Sequence, residues 1–210
     1  MTDSAVADLV GQLADAGADA VQRGLVLASG GNLSARIPGR DAFVVSAKGT
    51  WLDRLRPEDF TVMDLAGRVV DGDPTPSSEW KLHWRTYQVR PDVNAVIHLH
   101  PQTAVVLDAL GHPIRLLTLD HALYVRKVTR IPFFHNGSDE LADASAEAAR
   151  DCDAVILAFH GCSTLGDSVR TAYRVAVNLE QAAQSTFKLL QLGDATTTFP
   201  PDAFAELRHG

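Results

Sequence analysis

Two histidines separated by one residue stand at the end of an apolar segment of this chain. His98 and His100 belong to the run NAVIHLHP, which predicts a buried strand that Pro101 ends. Side chains at positions i and i+2 of a strand point to the same face, so both imidazoles project together. Two neutral imidazoles suit a divalent metal, and two packed histidines at a strand end fit the pattern equally well.

A second apolar run ends in the same way. Residues 154–159, with the sequence AVILAF, lead directly into His160 and Gly161. The glycine lets the backbone turn sharply and leaves the imidazole at the edge of the sheet. If the two edges face each other, three neutral imidazoles surround an open coordination position, as in a catalytic zinc site. Spacing along the chain leaves this convergence open.

One glutamate is the candidate carboxylate for the same site. Glu79 is predicted to lie in the first turn of a helix that Ser77 and Ser78 open. A glutamate at this position also complements the helix dipole, which is its ordinary structural role. Beside a metal it could instead be a fourth ligand or a general acid/base. His83 follows one turn later on the same helix face, where it could support the site or simply pack.

Short polar loops are candidates for binding an anion. Gly31 and Asn32 end the loop SGGN, whose N–H groups can form a nest, while Ser77 and Ser78 open a helix N-terminus. Lys48 adds a positive charge in the loop before Gly49, although an isolated lysine is usually a solvated surface group. A further pocket candidate is His121, because the neighbouring Asp120 could influence its protonation.

These residues depend on a framework in which helices and strands alternate and hairpins interrupt them. Apolar periodicity predicts helices at 3–28, 77–89, 102–110, 138–150 and 168–192, the first capped by Asp3 or Ser4. Strands are predicted at 33–37, 42–46, 60–65, 68–70, 92–100, 116–119, 126–131 and 154–159. The pattern indicates an α/β fold with a central, largely antiparallel or mixed sheet and helices on both faces.

Composition limits the class of protein. The 210 residues are predicted to form a single domain, 1–210, with a formal net charge of −7 and no run of Lys or Arg. Neither a nucleic acid nor a membrane surface is expected as a partner, and local groups must attract any anionic substrate. No signal peptide is apparent, and the two cysteines, Cys152 and Cys162, are expected to be reduced in a cytoplasmic protein.

Taken in order, the motifs resemble those of the class II aldolase/adducin family, specifically its L-fuculose-1-phosphate aldolase group. The resemblance extends from about residue 8 to residue 190. The motifs that carry it are GGNLSAR at 30–36, VSAKG at 45–49, PSSEWKLH at 76–83, RPDVNAVIHLH at 90–100, HG at 160–161 and NLE at 178–180.

The resemblance implies α/β/α layers around a mostly antiparallel sheet, and a homotetramer with active sites at its interfaces. It implies Zn²⁺, or another divalent metal such as Mn²⁺, on His98, His100 and His160. Glu79 would complete the metal shell and then act as acid/base. The residues implied to bind phosphate are Gly31, Asn32, Gly49, Ser77 and Ser78.

The implied reaction is cleavage of a sugar 1-phosphate, such as L-fuculose 1-phosphate, to dihydroxyacetone phosphate and an aldehyde through a metal-stabilised enediolate. Two departures bear on the substrate. Lys48 replaces the threonine of the family's first phosphate loop, and could pair with a phosphate or a carboxylate. The region around His121 lacks the tyrosine that protonates the aldehyde, so His121 is a hypothesised replacement.

Other activities remain open at this point. A decarboxylase, with Lys48 holding a carboxylate, is the second interpretation, and an epimerase or a dehydratase of the same family follows it. All of these use metal stabilisation of a carbanion. The alternative from another class is a non-catalytic interaction module like the adducin head. The presence of all three candidate histidines and of Glu79 disfavours that module.

Overall fold

The computed structural model describes residues 4–207 and contains one mixed sheet of eight strands. The strands lie in the order β4-β3-β2-β1-β5-β8-β7-β6, and every neighbouring pair is antiparallel except β6 and β7. Their bounds are β1 Asn32–Arg36, β2 Ala42–Ser46, β3 Phe60–Asp64, β4 Val69–Gly72, β5 Ala95–Leu99, β6 Val128–Ile131, β7 Ala154–Leu157 and β8 Gly161–Gly166.

Helices cover both faces of the sheet, as the sequence predicted. One face carries α1, α3 and α5, and the other carries α2 and α4. None of the helices within residues 4–207 is both long and apolar enough to span a membrane. The helices are α1 Ser4–Gln22, α2 Trp80–Val89, α3 Gln102–Ala109, α4 Asp139–Ala149, α5 Val169–Gln191 and α6 Pro201–Leu207.

The central strand β5 shows how its apolar residues are divided between the two faces. Ile97 and Leu99 join the core under α1, α3 and α5, whereas Val96 joins the core under α2 and α4. All five residues of β5 are buried, which explains why the strand reads as a continuous apolar run. By the two-residue period, His98 faces the same side as Val96.

Some element boundaries differ from the sequence predictions. Helix α1 ends at Gln22 instead of residue 28, because Gly24 adopts a left-handed φ of 71° and turns the chain. The alternative cap at Asp3 lies outside the described residues. Helix α2 begins at Trp80 instead of Ser77, since Ser77 N–H donates to the Ser46 carbonyl and keeps this segment extended against β2.

Two larger differences from the sequence predictions concern the segment that leads to β6 and the strand β8. Residues 116–119 form no strand, and one π-helical turn, His121–Val125, follows instead. Strand β8 was not predicted because its sequence, GCSTLG, is poor in apolar residues. It is nevertheless fully buried between β5 and β7, where the strand ladders satisfy its backbone and Thr164 Oγ1 donates to the Ile97 carbonyl. The hydroxyl of Ser163 is buried without a hydrogen-bond partner among the described residues.

Candidate metal centre

Three imidazoles meet at one edge of the sheet. His98 is the penultimate residue of β5, His100 directly follows the end of that strand, and His160 lies in the turn between β7 and β8. Their ligand nitrogens all lie within 4.8 Å of one another. The Nε2 atoms of His98 and His100 are 2.9 Å apart. The structure thus brings together the three histidines that the sequence left unconnected.

A glycine permits this close approach. A Cβ at Gly161 would lie 2.3 Å from the Leu99 carbonyl oxygen and 2.7 Å from Cδ2 of His100. Both distances are below those that real Cβ atoms adopt. Gly161 is therefore required for β8 to pair with β5 while the ring of His100 turns towards the other two.

The turn that carries His160 is held by a buried carboxylate. Phe159 adopts a left-handed φ of 57°, an uncommon conformation for a large side chain. Its N–H donates to Asp108 Oδ2 at 2.8 Å, and Arg130 Nε donates to the other oxygen of Asp108 at 2.5 Å. Asp108 thus ties the backbone next to His160 to helix α3 and strand β6.

A hydrogen bond to the backbone of β8 fixes the orientation of the His98 ring. Its Nδ1 lies 2.9 Å from the backbone carbonyl of Cys162, which can only accept, so Nδ1 carries the proton. Nε2 is therefore the nitrogen that faces the site, and it offers a lone pair to a cation whenever the ring is neutral. Metal-binding histidines characteristically use the second ring nitrogen for such a bond.

Glu79 supplies the carboxylate. It is the residue immediately before α2 rather than part of the first turn, and Ser77 Oγ accepts its N–H at 3.2 Å. The side chain is buried, with Oε2 3.1 Å from His98 Nε2 and Oε1 3.6 Å from His160 Nε2. Oε1 has no hydrogen-bond partner among the described residues.

Electrostatics keep this carboxylate ionised. Burial alone would raise the pKa of Glu79, but attraction and hydrogen bonding to His98, with the further attraction of His160, hold that pKa well below its usual range. Burial opposes protonation of His98, yet the Glu79 carboxylate raises its pKa. Burial, then repulsion from His98 and His160, lowers the pKa of His100 to about 3.

The donor set fits a divalent cation. Two ring nitrogens and a carboxylate oxygen face one another at about hydrogen-bond distance, and a second carboxylate oxygen is buried without a partner. Lone pairs in this arrangement repel one another unless protons or a positive ion lie between them. Three imidazoles and a carboxylate are ligand types that zinc accepts.

Family comparison agrees with the geometry. The sequence model described as Class II Aldolase and Adducin N-terminal domain matches residues 11–187. The chain belongs to this family. The same membership is supported by an L-fuculose phosphate aldolase of Methanocaldococcus jannaschii, which is 36% identical over 169 residues, covering 80% of this chain and 90% of that protein.

Other relatives within the class II aldolase family carry different names. A 3-oxo-tetronate 4-phosphate decarboxylase of Haemophilus influenzae is 31% identical over 194 residues, covering 90% of each chain. The crystal structure of YgbL, a putative aldolase/epimerase/decarboxylase from Klebsiella pneumoniae, superposes with a TM-score of 0.88. That chain is 30% identical, and the match covers 98% of this chain and 100% of YgbL.

The loops predicted to bind an anion lie beside Glu79. Asn32 Nδ2 donates to Glu79 Oε2 at 3.0 Å. Gly31 has a φ of 72°, and a Cβ there would lie 2.7 Å from the His98 carbonyl oxygen, so this position needs glycine. On the other side, Lys48 N–H donates to the Thr75 carbonyl at 3.0 Å. That bond places the Lys48 loop against the segment leading to Ser77.

The side chains of the two loops differ in exposure. Lys48, Gly49 and Ser78 are exposed, while Asn32 and Ser77 are buried. Gly49 has a φ of 78°, and a Cβ built there would have no atom within 4 Å. The loop thus presents one exposed ammonium group and an exposed glycine on the segment that is bonded to the residues leading to Ser77.

His121 is not joined to the metal cluster by any hydrogen bond that the structure describes. Its imidazole is fully buried, and Nδ1 accepts the Leu117 N–H at 3.2 Å, which places the remaining proton on Nε2. Burial lowers its pKa. Leu119 and Leu123 on either side are exposed, so the segment itself lies at the surface. A proton-transfer role for His121 remains a prediction.

Sequence reasoning missed two residues that extend the site inward. Ser34 and Tyr87 form hydrogen bonds behind His83, and neither was a candidate. A signal for them does exist, because Glu79, His83 and Tyr87 are spaced four residues apart on one helix face. Ser34 lies two residues from Asn32 on the same strand face.

Proposed function

We propose that this chain is a zinc-dependent lyase that cleaves a phosphorylated ketose, such as L-fuculose 1-phosphate, to dihydroxyacetone phosphate and an aldehyde. The observation that carries the proposal is the convergence of three imidazoles and an ionised Glu79 on one space. The match to the class II aldolase family over residues 11–187 supports it. The name of the M. jannaschii relative supports the choice of substrate.

His98, His100 and His160 would hold the cation, with Glu79 as a fourth ligand in the resting protein. A divalent metal there supplies Lewis-acid stabilisation of the negative charge that develops on the ketose oxygens. Glu79 moves the proton. In the cleavage direction the hydroxyl that becomes the aldehyde oxygen loses its proton to a base, the role hypothesised for His121, as the C–C bond breaks. Glu79, protonated from solvent, then gives a proton to the carbon left by that bond, and in the synthetic direction it removes the same proton.

The substrate phosphate would bind across the two loops beside Glu79. Asn32 has a second hydrogen on Nδ2 beyond the one that it gives to Glu79. The backbone N–H groups at Gly31 and Gly49, with the hydroxyls of Ser77 and Ser78, are the other proposed donors. Because the chain carries a net charge of −7, these local donors must attract the anion against the overall field.

A second candidate is decarboxylation of an oxo-acid phosphate. The exposed Lys48 favours it, since its ammonium, if it reaches the site, can pair with a carboxylate as well as with a phosphate. The H. influenzae relative named as a decarboxylase also supports decarboxylation as the second candidate. Here the C–C bond to the carboxylate breaks, CO₂ leaves, and the remaining carbanion takes a proton. Glu79 would serve as the same acid in this reaction.

The deciding experiment combines metal analysis with a substrate panel. The purified protein is assayed for zinc and manganese, then tested for cleavage of L-fuculose 1-phosphate and L-rhamnulose 1-phosphate and for CO₂ release from oxo-acid phosphates. We expect stoichiometric metal and retro-aldol cleavage. The variant His112→Ala, which changes an exposed histidine away from the cluster, is the matched control for His98→Ala.

Each contrary result has a distinct meaning. Activity on an oxo-acid alone would replace the aldolase with the decarboxylase and leave the metal site intact. Interconversion or dehydration of the ketose phosphate would assign an epimerase or dehydratase. Absence of bound metal and of turnover would favour an interaction module like the adducin head.

We also propose a homotetramer with sites at subunit interfaces, acting in the cytoplasm. The exposed side chains of Phe159, Phe133 and Leu119 offer apolar surface that a neighbouring subunit could cover. Both cysteines are free and buried, as a reduced compartment would leave them. Light scattering tests the oligomeric state, and a monomer at assay concentration would contradict it.

A further inference from the structure

A line of hydrogen-bonded side chains runs from Glu79 into the interior. Asn32 Nδ2 donates to Glu79 Oε2 at 3.0 Å, and Asn32 Oδ1 lies 2.5 Å from His83 Nε2. His83 Nδ1 lies 2.7 Å from Ser34 Oγ, and Ser34 Oγ lies 2.7 Å from Tyr87 OH. All five side chains are buried. They connect the candidate catalytic carboxylate to the core between the sheet and α2.

The chemistry of the groups fixes the direction of this line. The Asn32 carboxamide must turn its NH₂ towards the Glu79 carboxylate, because the opposite orientation would place two acceptor oxygens together. Its oxygen therefore accepts from His83 Nε2–H. A neutral His83 then has a lone pair on Nδ1, which accepts from the Ser34 hydroxyl. Tyr87, the last member, donates to Ser34.

Burial keeps the two titratable members in the required forms. It lowers the pKa of His83 to about 3, with repulsion from His98 adding to the effect, so the ring is neutral. It also raises the pKa of Tyr87 well above its usual range, so the phenol keeps its proton. Every bond in the line therefore has one donor and one acceptor.

Secondary structure presents these groups to one another. His83 and Tyr87 are one turn apart on α2, and Asn32 and Ser34 are two residues apart on β1. A helix face with a four-residue period thus interlocks with a strand face of two-residue period. All four of these side chains therefore come from the helix or the strand, and none comes from a loop.

We propose that His83 is a positioning residue that locks the Asn32 carboxamide and, through it, the Glu79 carboxylate. The effect on turnover rests on the function proposed above. His83 does not contact Glu79 in this arrangement, so it acts only through Asn32. The second hydrogen on Asn32 Nδ2 remains available to a substrate anion, which would couple anion binding to the position of the carboxylate.

The line orients groups and does not conduct protons. Asn32 interrupts it, because a carboxamide would have to pass through a high-energy imidic acid form to relay a proton. The other end, Tyr87, is fully buried and has no outlet to solvent. Loss of His83 should therefore change the rate of reaction and the metal affinity without changing the shape of the pH–rate profile.

The first test needs no substrate. Nitrogen-15 NMR of histidine-labelled protein reports the tautomer of each ring, and His83→Gln assigns the His83 signals by their loss. We expect a neutral Nε2–H tautomer over the whole pH range in which the protein is folded, with and without metal. A neutral Nδ1–H tautomer, or a protonated ring, would overturn the proposal because neither allows these bonds.

The second test compares three variants on helix α2. His83→Leu removes both bonds and should lower kcat and metal affinity, the latter measured by chelator competition, by about 10–100-fold, the usual range for groups behind a metal ligand. His83→Gln, whose amide can donate to Asn32 and accept from Ser34, should recover most of the loss. Thr86→Val is the control, because Thr86 is equally buried but bonds only to its own helix.

The outcomes separate this proposal from the proposed function. If no substrate is turned over, the tautomer and the chelator competition still decide the role of His83. Wild-type metal affinity in both His83 variants would overturn it, as would a changed pH–rate profile. Should His83→Leu fail to fold, the comparison of His83→Gln with Thr86→Val and the NMR measurement still provide the decision.

Discussion

Asn32 and His98 stand directly opposite each other on the neighbouring strands β1 and β5, and both contact the same oxygen of Glu79. Directly paired residues project from the same face of a sheet with their Cβ atoms close together. The residue expected to bind an anion and the residue expected to bind a metal therefore meet at one carboxylate. Any movement of the Glu79 carboxylate therefore changes its contacts with both Asn32 and His98.

Glu79→Gln tests the carboxylate itself. The glutamine keeps the shape of the side chain but removes its negative charge and its ability to carry a proton. We expect kcat to fall by about 10²–10⁴-fold, the usual range for a general acid/base. Chelator competition should show weaker metal binding, because one ligand becomes neutral. The control Glu147→Gln, on the exposed surface of α4, should match the wild-type protein.

Gly161→Ala tests the close approach of β8 to the ring of His100. The added Cβ would lie 2.3 Å from a backbone oxygen, so the strands must separate. We expect a loss of about 1–3 kcal/mol in the free energy of unfolding, as for other overpacked positions, together with weaker metal binding. Urea denaturation and metal titration measure the two effects.

Gly11→Ala is the matched control for that substitution. Gly11 lies within α1, and a Cβ there has nothing within 4 Å. Alanine should stabilise the protein by about 0.5–1 kcal/mol because it favours the helix. Equal destabilisation by both substitutions would contradict the specific role of Gly161.

Lys48→Ala distinguishes the two candidate substrates. If Lys48 pairs with a substrate anion, its removal should raise KM by about 10-fold or more, with a smaller change in kcat, since the bond is made before and during the reaction alike. Lys48→Thr, which restores the residue of the resembled loop, should recover affinity for a sugar phosphate but not for an oxo-acid. An unchanged KM for both substrates would remove Lys48 from the site.

The layers of the fold and the candidate metal ligands could be predicted from the sequence, but the convergence of those histidines could not. Buried strands and amphipathic helices have local periods, which is why β2, β5 and α5 were predicted within a few residues. Strand β8 has no such period, and it is the strand that sets His160 beside His98. The pairing that unites them is non-local, so a single sequence does not encode it in any short pattern.

The polar side chains on the interior side of the site could not be predicted from the sequence either, because their role also depends on non-local contacts. Ser34 and Tyr87 are ordinary strand and helix residues until α2 and β1 are placed against each other. The start of α2 was also displaced, because the bond from Ser77 N–H to the Ser46 carbonyl competes with helix formation. Tertiary contacts therefore determined both the helix boundary and the position of Glu79.

His121→Ala tests proton transfer to the aldehyde oxygen. His121 Nε2 is buried and forms no hydrogen bond within the usual distance limits among the described residues, although the Gln181 side chain is near enough to act on the pKa of the ring. A substrate would therefore have to reach a buried N–H. A catalytic role predicts a sharp loss of turnover, about 10²-fold or more, with metal content unchanged. If the ring only packs in the interior, the free energy of unfolding will fall while turnover per folded molecule persists, and that result would refute the role.

The pH dependence of stability should reveal the buried state of His83. Its pKa is lowered from 6.5 to about 3 in the folded protein. Below pH 6.5 the unfolded chain therefore binds a proton that the folded protein does not. The stabilisation is complete above this pH and is lost progressively as the pH falls towards 3.

Each such proton contributes a slope of about 1.4 kcal/mol per pH unit within that window. Because His100 and His98 have pKa values shifted in opposite directions, only the difference between two proteins isolates His83. The free energy of unfolding of chelator-treated His83→Gln should fall less steeply than that of the wild-type protein as the pH is lowered below 6.5. Parallel curves from urea denaturation would show that the His83 ring takes up a proton in the folded state, against the neutral ring that its two hydrogen bonds require.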